Sequence, residues 1–242
     1  MPQATNRFGQ PIGAPIPGWT PRPTPPATAM AGRFCTVEKL DPARHGAALA
    51  TAMAADTDGR TWTYLPIEPP PDQAAYRAWL GTIADKPNPM YHAIVDRRDG
   101  MAAGIAAYLR IERAHGTIEV GSINFAPRLQ RTPAATEAMF LMMRRAFDEL
   151  GYRRYEWKCD SLNAPSRAAA ERLGFTYEGL FRQAWVYKGR NRDTAWLSIT
   201  DTEWPGVRAG FERWLDPTNF ASDGTQRRGL AACRADAARD LR

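Results

Sequence analysis

The sequence predicts a mixed fold of class α/β (α+β): one sheet that starts antiparallel, with helices on both faces. Three observations carry this. Apolar runs at 91–95 and 101–110 flank Asp96-Arg97-Arg98-Asp99-Gly100, whose Asp-Gly pair suits a tight antiparallel turn. A third long run, 116–125, is followed by a helix from Pro133 to Leu150 with an apolar stripe at Ala135, Met139, Met142, Ala146 and Leu150. A further strand, 154–159, comes next, so strands that first pair antiparallel are later joined through a helix, which covers both sheet faces.

The other elements follow in chain order. Residues 1–33 are rich in Pro, Gly, Thr and Ala without helical or strand period, and read as an extended or disordered arm. A short strand begins at 34–37. Asp41-Pro42 then starts a helix, with Asp as N-cap and Pro in the first turn. The aromatic, Pro-bounded segment 61–66 precedes a helix over 73–83, in which Tyr76, Trp79, Leu80 and Ile83 share a face. Gly151 ends the helix that began at Pro133. A short helix over 166–173 stops at Gly174, a hairpin pairs 184–188 with 195–199, and a last helix spans 203–215. The expected organisation is an arm (1–33), a domain (34–203), and a C-terminal helix with an Arg- and Ala-rich tail (204–242).

A chain of 242 residues buries a core without disulfides or metal. Cys35, Cys159 and Cys233 are odd in number and far apart, which fits a reducing compartment and argues against zinc. His45, His92 and His115 are equally scattered, so no metal is expected. No apolar run has the length of a membrane span and the start lacks signal-peptide form; a cytoplasmic protein is expected. The net charge is +6, with only four lysines among 32 basic residues. Arg is spread along the chain rather than massed, so RNA or ribosome association is the lesser alternative.

The order of local motifs is more specific than any one of them. Glu119-Val120-Gly121, Gln130 to Ala138, Asn163-x-x-Ser166, Leu173-Gly174-Phe175, Glu178-Gly179 and Asp193 together resemble the GCN5-related N-acetyltransferases (GNAT) over 37–199. Within them the chain is most similar to the ribosomal-protein-alanine/serine acetyltransferase branch. The resemblance implies a mostly antiparallel sheet in which a central strand pair splays, here the strands ending at Phe125 and Cys159, with the pantetheine arm of acetyl-CoA in the gap. It implies acetyl-CoA as co-substrate and direct transfer to a primary amine: a protein N-terminus, a small amine or an aminoacyl-nucleotide. A non-catalytic acyl-CoA-binding module is the alternative. An amine acceptor and a homodimer are the partners considered; no membrane is.

A helix start presents unpaired N–H groups and the positive dipole end, and so can hold a pyrophosphate. Cofactor-binding candidates are therefore Gln130, Arg131, Thr132, Pro133, Ala134 and Ala135, with Phe125 at the gap. The family pattern has Gly where this chain has Pro133, which removes an N–H; Arg131 can substitute charge for it. By resemblance Asn163 bonds the pantetheine and Ser166 is the proton donor to the leaving sulfur, although both residue types also cap helices. Some members of the branch carry a carboxylate where this chain has Trp185, so that route to a general base is closed. Glu119 is the first candidate for the base and Asp160 the reserve. Cys159 reads as a small buried apolar residue rather than a nucleophile. Trp62 and Tyr64, in their loop-like segment, are the substrate-binding candidates.

Overall fold

The computed structural model of the chain describes residues 4–240. β1 (Ala4–Thr5) and β2 (Pro11–Ile12) pair with each other alone. The main sheet opens with β3 (Met30–Ala31) and β4 (Cys35–Lys39). α1 (Pro42–Met53), a 3-10 turn at Arg60–Trp62 and α2 (Gln73–Ala84) follow. Three strands come next: β5 (Met90–Asp96), β6 (Met101–Glu112) and β7 (Thr117–Phe125). Then come α3 (Pro133–Arg144), a π-type turn at Arg145–Glu149, β8 (Arg154–Asp160) and α4 (Ala164–Leu173). The chain continues with β9 (Thr176–Tyr187), β10 (Arg190–Thr200), α5 (Trp204–Leu215) and α6 (Leu230–Asp240).

The strand order is β3-β4-β5-β6-β7-β8-β10-β9, antiparallel throughout except for β7 and β8. That parallel pairing runs only from Thr117↔Arg154 to Val120↔Trp157. Beyond it β7 stays with β6 and β8 stays with β10. Ser122 has φ 48, within a register shift of β7 against β6, so the strand bends where its partner leaves it. The sheet thus opens at its centre, as the resemblance implied.

Local chemistry starts the helices that frame this opening. Asp41 caps α1 through the amides of Ala43 and Arg44, and Asp72 caps α2 through that of Ala75. One core, with Leu49, Leu80, Ile105 and Ala107, lies under α1 and α2. The other, with Ile118, Val120, Met139 and Met142, lies under α3 and extends to Phe211 and Trp214 of α5. α3 is buried nearly all round, because Phe140 stacks on Phe211 and Phe147 on Trp204 at 5.0 and 4.9 Å. α5 therefore covers the outer side of α3, and α6 packs on α5 and α4.

The N-terminal arm lies along the domain. Trp19 Nε1 donates to Ala114 O at 2.8 Å, and Arg145 Nη1 to Thr28 O at 2.6 Å. Its end is pinned by Glu137 of α3, whose buried carboxylate accepts from the amides of Arg33, Phe34 and Cys35 at 2.6–2.9 Å. Gly32 permits this approach: a Cβ there would sit 2.3 Å from the Glu137 carboxyl carbon.

Several elements differ from the sequence expectation. The helix from Pro133 loosens into a π-type turn after Arg144 instead of running regularly to Leu150. The helix expected from Ser166 begins at Ala164, because Asn163 is its cap. The final hairpin is longer than expected, since β9 starts at Thr176. β9 is an edge strand exposed over most of its length and bulged against β10, so it has no alternating pattern to read.

Candidate active site

The opening between β7 and β8 leads into a cleft of about 750 Å³. β7 contributes Glu119 and Gly121, β8 Trp157 to Asp160, and the start of α4 Asn163 and Ser166. β9 and β10 supply an outer wall that includes Trp185 and Trp196, and the 61–66 segment supplies Tyr64. Five sequence candidates, Glu119, Asp160, Asn163, Ser166 and Tyr64, thus share one cavity. Tyr64 and Ser166 lie far apart in the chain, and only the fold brings them together.

Glu119 is buried and ion-paired. Lys158 Nζ lies 2.8 Å from its Oε2 and Arg110 Nη1 donates to the same atom at 3.2 Å, which leaves Oε1 without a partner among the described residues. Lys158 also sits 2.7 Å from Glu156 and 3.7 Å from the centroid of the Trp196 ring, with its side chain only 4% exposed. Glu119 and Glu156 are register partners across the parallel pair, so Lys158 offsets the repulsion between two adjacent carboxylates. Burial works to raise the Glu156 carboxyl, but its bonds to Arg154 and Lys158 outweigh this and hold it below the usual range. Gly121 allows the close approach of Leu109 beside this group, since a Cβ there would stand 2.6 Å from Leu109 Cδ1.

Ser166 is oriented from two sides. Its amide donates to Asn163 Oδ1 at 3.1 Å, the N-cap bond of α4, and Trp157 Nε1 donates to its Oγ at 3.0 Å. With Oγ accepting from the indole, the hydroxyl proton is free to be donated elsewhere. Burial pushes the Cys159 thiol up, with the Ser166 hydroxyl acting the other way. Asp160 accepts from Tyr187 Oη at 2.7 Å and from the Leu162 amide at 2.9 Å, and burial with this bond pushes the Tyr187 phenol up to about 12.

The other candidates lie elsewhere. Trp62 is a correction: at 3% exposure it packs against Tyr76 and Trp79 in the core under α1 and α2, not on the cleft. The 3-10 turn at Arg60–Trp62 aims its ring inward, while Tyr64 reaches the cleft rim and donates to Leu162 O at 3.0 Å. The residues from Gln130 to Ala135 form the start of α3. Gln130 Nε2 donates to Phe125 O at 2.8 Å, closing the turn after β7. Thr132 is the N-cap, accepting from the Ala135 amide at 3.2 Å and donating to Leu129 O at 2.6 Å. Pro133 has no N–H to offer, and neither the first-turn amide of Ala134 nor the exposed Arg131 side chain has a partner among the described residues. A cavity of about 210 Å³ adjoins this start, bordered by Arg131, Thr136 and Arg172 and closed by Trp214 and Gln226 of the C-terminal segment.

Lys158, Arg110, Trp157 and Arg192 were not singled out from the sequence. The one available signal was Glu156-x-Lys158-x-Asp160, an alternation of charges along a strand that ends at the gap.

Residues 37–176 match the family model described as acetyltransferase (GNAT) domain. The structure is similar to that of a GCN5-related N-acetyltransferase from Brucella melitensis, with 45% identity, a TM-score of 0.88, and coverage of 91% of this chain and 100% of that one. A second similar structure, from Chromobacterium violaceum ATCC 12472 and described as "probable acetyltransferases (GNAT family)", has 42% identity and a TM-score of 0.74, covering 81% of this chain and 97% of that one. A Bacillus subtilis (strain 168) relative named "Putative ribosomal N-acetyltransferase YdaF" is 28% identical over 110 residues, 46% of this chain and 60% of that relative's length.

Proposed function

The chain belongs to the GNAT acetyltransferase family, and on that premise we propose that it transfers the acetyl group of acetyl-CoA directly to a primary amine in the cleft between β7 and β8. The observation that carries this reading is the convergence of a carboxylate with a free oxygen, Glu119, and a hydroxyl with a free proton, Ser166, on one cavity at the strand opening.

The residues fit such a co-substrate. Arg131 and the Ala134 amide offer charge and a donor to a pyrophosphate at the start of α3. Asn163 keeps its side-chain N–H₂ for an amide of the pantetheine while its oxygen caps α4. Glu119 Oε1, directly or through water, takes the proton the amine sheds as it attacks. Ser166 gives its proton to the departing sulfur, and Trp157 keeps the hydroxyl turned for that step. The bond from nitrogen to the acetyl carbon forms as the carbon–sulfur bond breaks, and no other reactant is required.

The experiment is acetyl-CoA consumption against a panel of amines, alongside calorimetric binding of acetyl-CoA. Amine-dependent release of CoA supports transfer, and Glu119→Gln should lower its rate by about 10²-fold, most at low pH where the amine is protonated. Binding without transfer to any amine would favour the non-catalytic module.

A further inference from the structure

The acceptor side of the cleft carries more positive charge than its carboxylates offset. Arg110, Lys158, Arg182 and Arg192 line it, against Glu119 and Asp160. Lys158 is held between Glu119 and Glu156, Arg110 pairs with Glu119, and Asp160 is taken up by Tyr187 and the Leu162 amide. Arg182 is exposed and forms no ion pair among the described residues, its charge acting only in helping to lower the Asp193 carboxyl. Arg192 forms no ion pair among the described residues: its Nε donates to Thr194 Oγ1 at 3.1 Å, and its terminal nitrogens are left over.

Arg192 is also held in place. Its Cζ lies 5.2 Å from the centroid of the Trp185 ring, and that of Arg110 lies 5.6 Å from the same ring. Cation–π contact of this kind orients a guanidinium without neutralising it. Arg192 lines the same cleft as Cys159, Asn163 and Ser166. A fixed, uncompensated guanidinium therefore sits close to the point of transfer. The pantetheine arm is uncharged and the co-substrate's phosphates are assigned to the start of α3, so this charge is left for the other reactant.

We propose that the acceptor is a primary amine that also carries an anionic group, a carboxylate or a phosphate, and that Arg192 binds that group while Trp185 holds the guanidinium in position. The proposal rests on the acetyl-transfer reading above and narrows its acceptor.

The test compares acceptors matched except for charge: β-alanine with its amide, O-phosphoethanolamine with ethanolamine, 1,3-diaminopropane as the cationic member, and tripeptides with Asp or Asn second. The expected result is a kcat/KM at least about tenfold higher for the anionic member of a pair, chiefly through KM. Which pair shows the largest ratio identifies carboxylate, phosphate or peptide as the source. Arg192→Gln should bring the ratio towards one, and Arg192→Lys should keep part of it. Preference for neutral or cationic members, or a ratio unmoved in Arg192→Gln, overturns the proposal. Calorimetric binding of the same pairs to the CoA-loaded protein separates the two readings. Anion preference that depends on Arg192 without turnover would overturn acetyl transfer alone; turnover without such preference would overturn this inference alone.

Discussion

Two helix starts flank the split strands, and they are finished differently. At α4, Asn163 caps the Ser166 amide and Trp157 occupies the Ser166 hydroxyl oxygen, so the turn is ordered around a proton that can still be given away. At α3, the Thr132 hydroxyl is used on both sides by Ala135 and Leu129, and Pro133 withholds an N–H. A cap that satisfies its own helix removes donors that a ligand could use. On the proposed reading the first start serves the chemistry, and the second would rely on the charge of Arg131 to hold an anion.

The largest expected effect breaks the first side of this comparison. Ser166→Ala should lower kcat by about 10²- to 10⁴-fold while the Kd of acetyl-CoA changes little, read by steady-state kinetics beside calorimetry. A fall in affinity with kcat preserved would give the Ser166 hydroxyl a binding role in place of proton donation.

Acid conditions test whether activity losses near the site are losses of fold. His92 is fully buried, both its ring nitrogens lack side-chain hydrogen-bond partners among the described residues, and burial, helped by the Arg145 charge, lowers it to about 4. The folded state therefore disfavours the protonated ring. Its contribution is present above about pH 6.5 and is lost as pH falls towards about 4, up to roughly 3 kcal/mol. His92→Leu should flatten urea-unfolding stability over that window; an unchanged slope would assign it to other groups.

The α3 side is sharpened by Arg131→Ala, which should weaken acetyl-CoA binding by about 1.5–3 kcal/mol and acetyl-pantetheine binding by less. Pro133→Gly should partly restore the loss by returning a backbone donor, at some cost from a looser helix start. Equal losses for both ligands would place Arg131 in a different role. The smallest effect concerns orientation alone: Trp157→Phe removes the indole donor to Ser166 and should reduce kcat by an amount equivalent to about 0.5–1.5 kcal/mol.

The sequence was readable where the physics is local. Asp41-Pro42, Thr132-Pro133 and Asn163 announce helix starts through capping, and Asp99-Gly100 announces a turn. Glu119, Asn163, Ser166 and Tyr64 could be nominated one by one, and the fold gathers them at one cleft. The relations between side chains were not readable. Lys158 meets Glu119 and Trp196 only because β8 lies between β7 and β10. Arg192 meets Arg110 at Trp185 only through the register of an exposed edge hairpin. Trp62 and Tyr64 look alike in an aromatic loop, and a single 3-10 turn buries one and presents the other.

The most direct measurement is a crystal structure of the protein with acetyl-CoA. The thioester sulfur should lie within hydrogen-bonding distance of Ser166 Oγ, the pantetheine between β7 and β8, and the pyrophosphate against Arg131 and the Ala134 amide. Acetyl-CoA bound outside that opening, or with its sulfur turned away from Ser166, would contradict the proposed transfer.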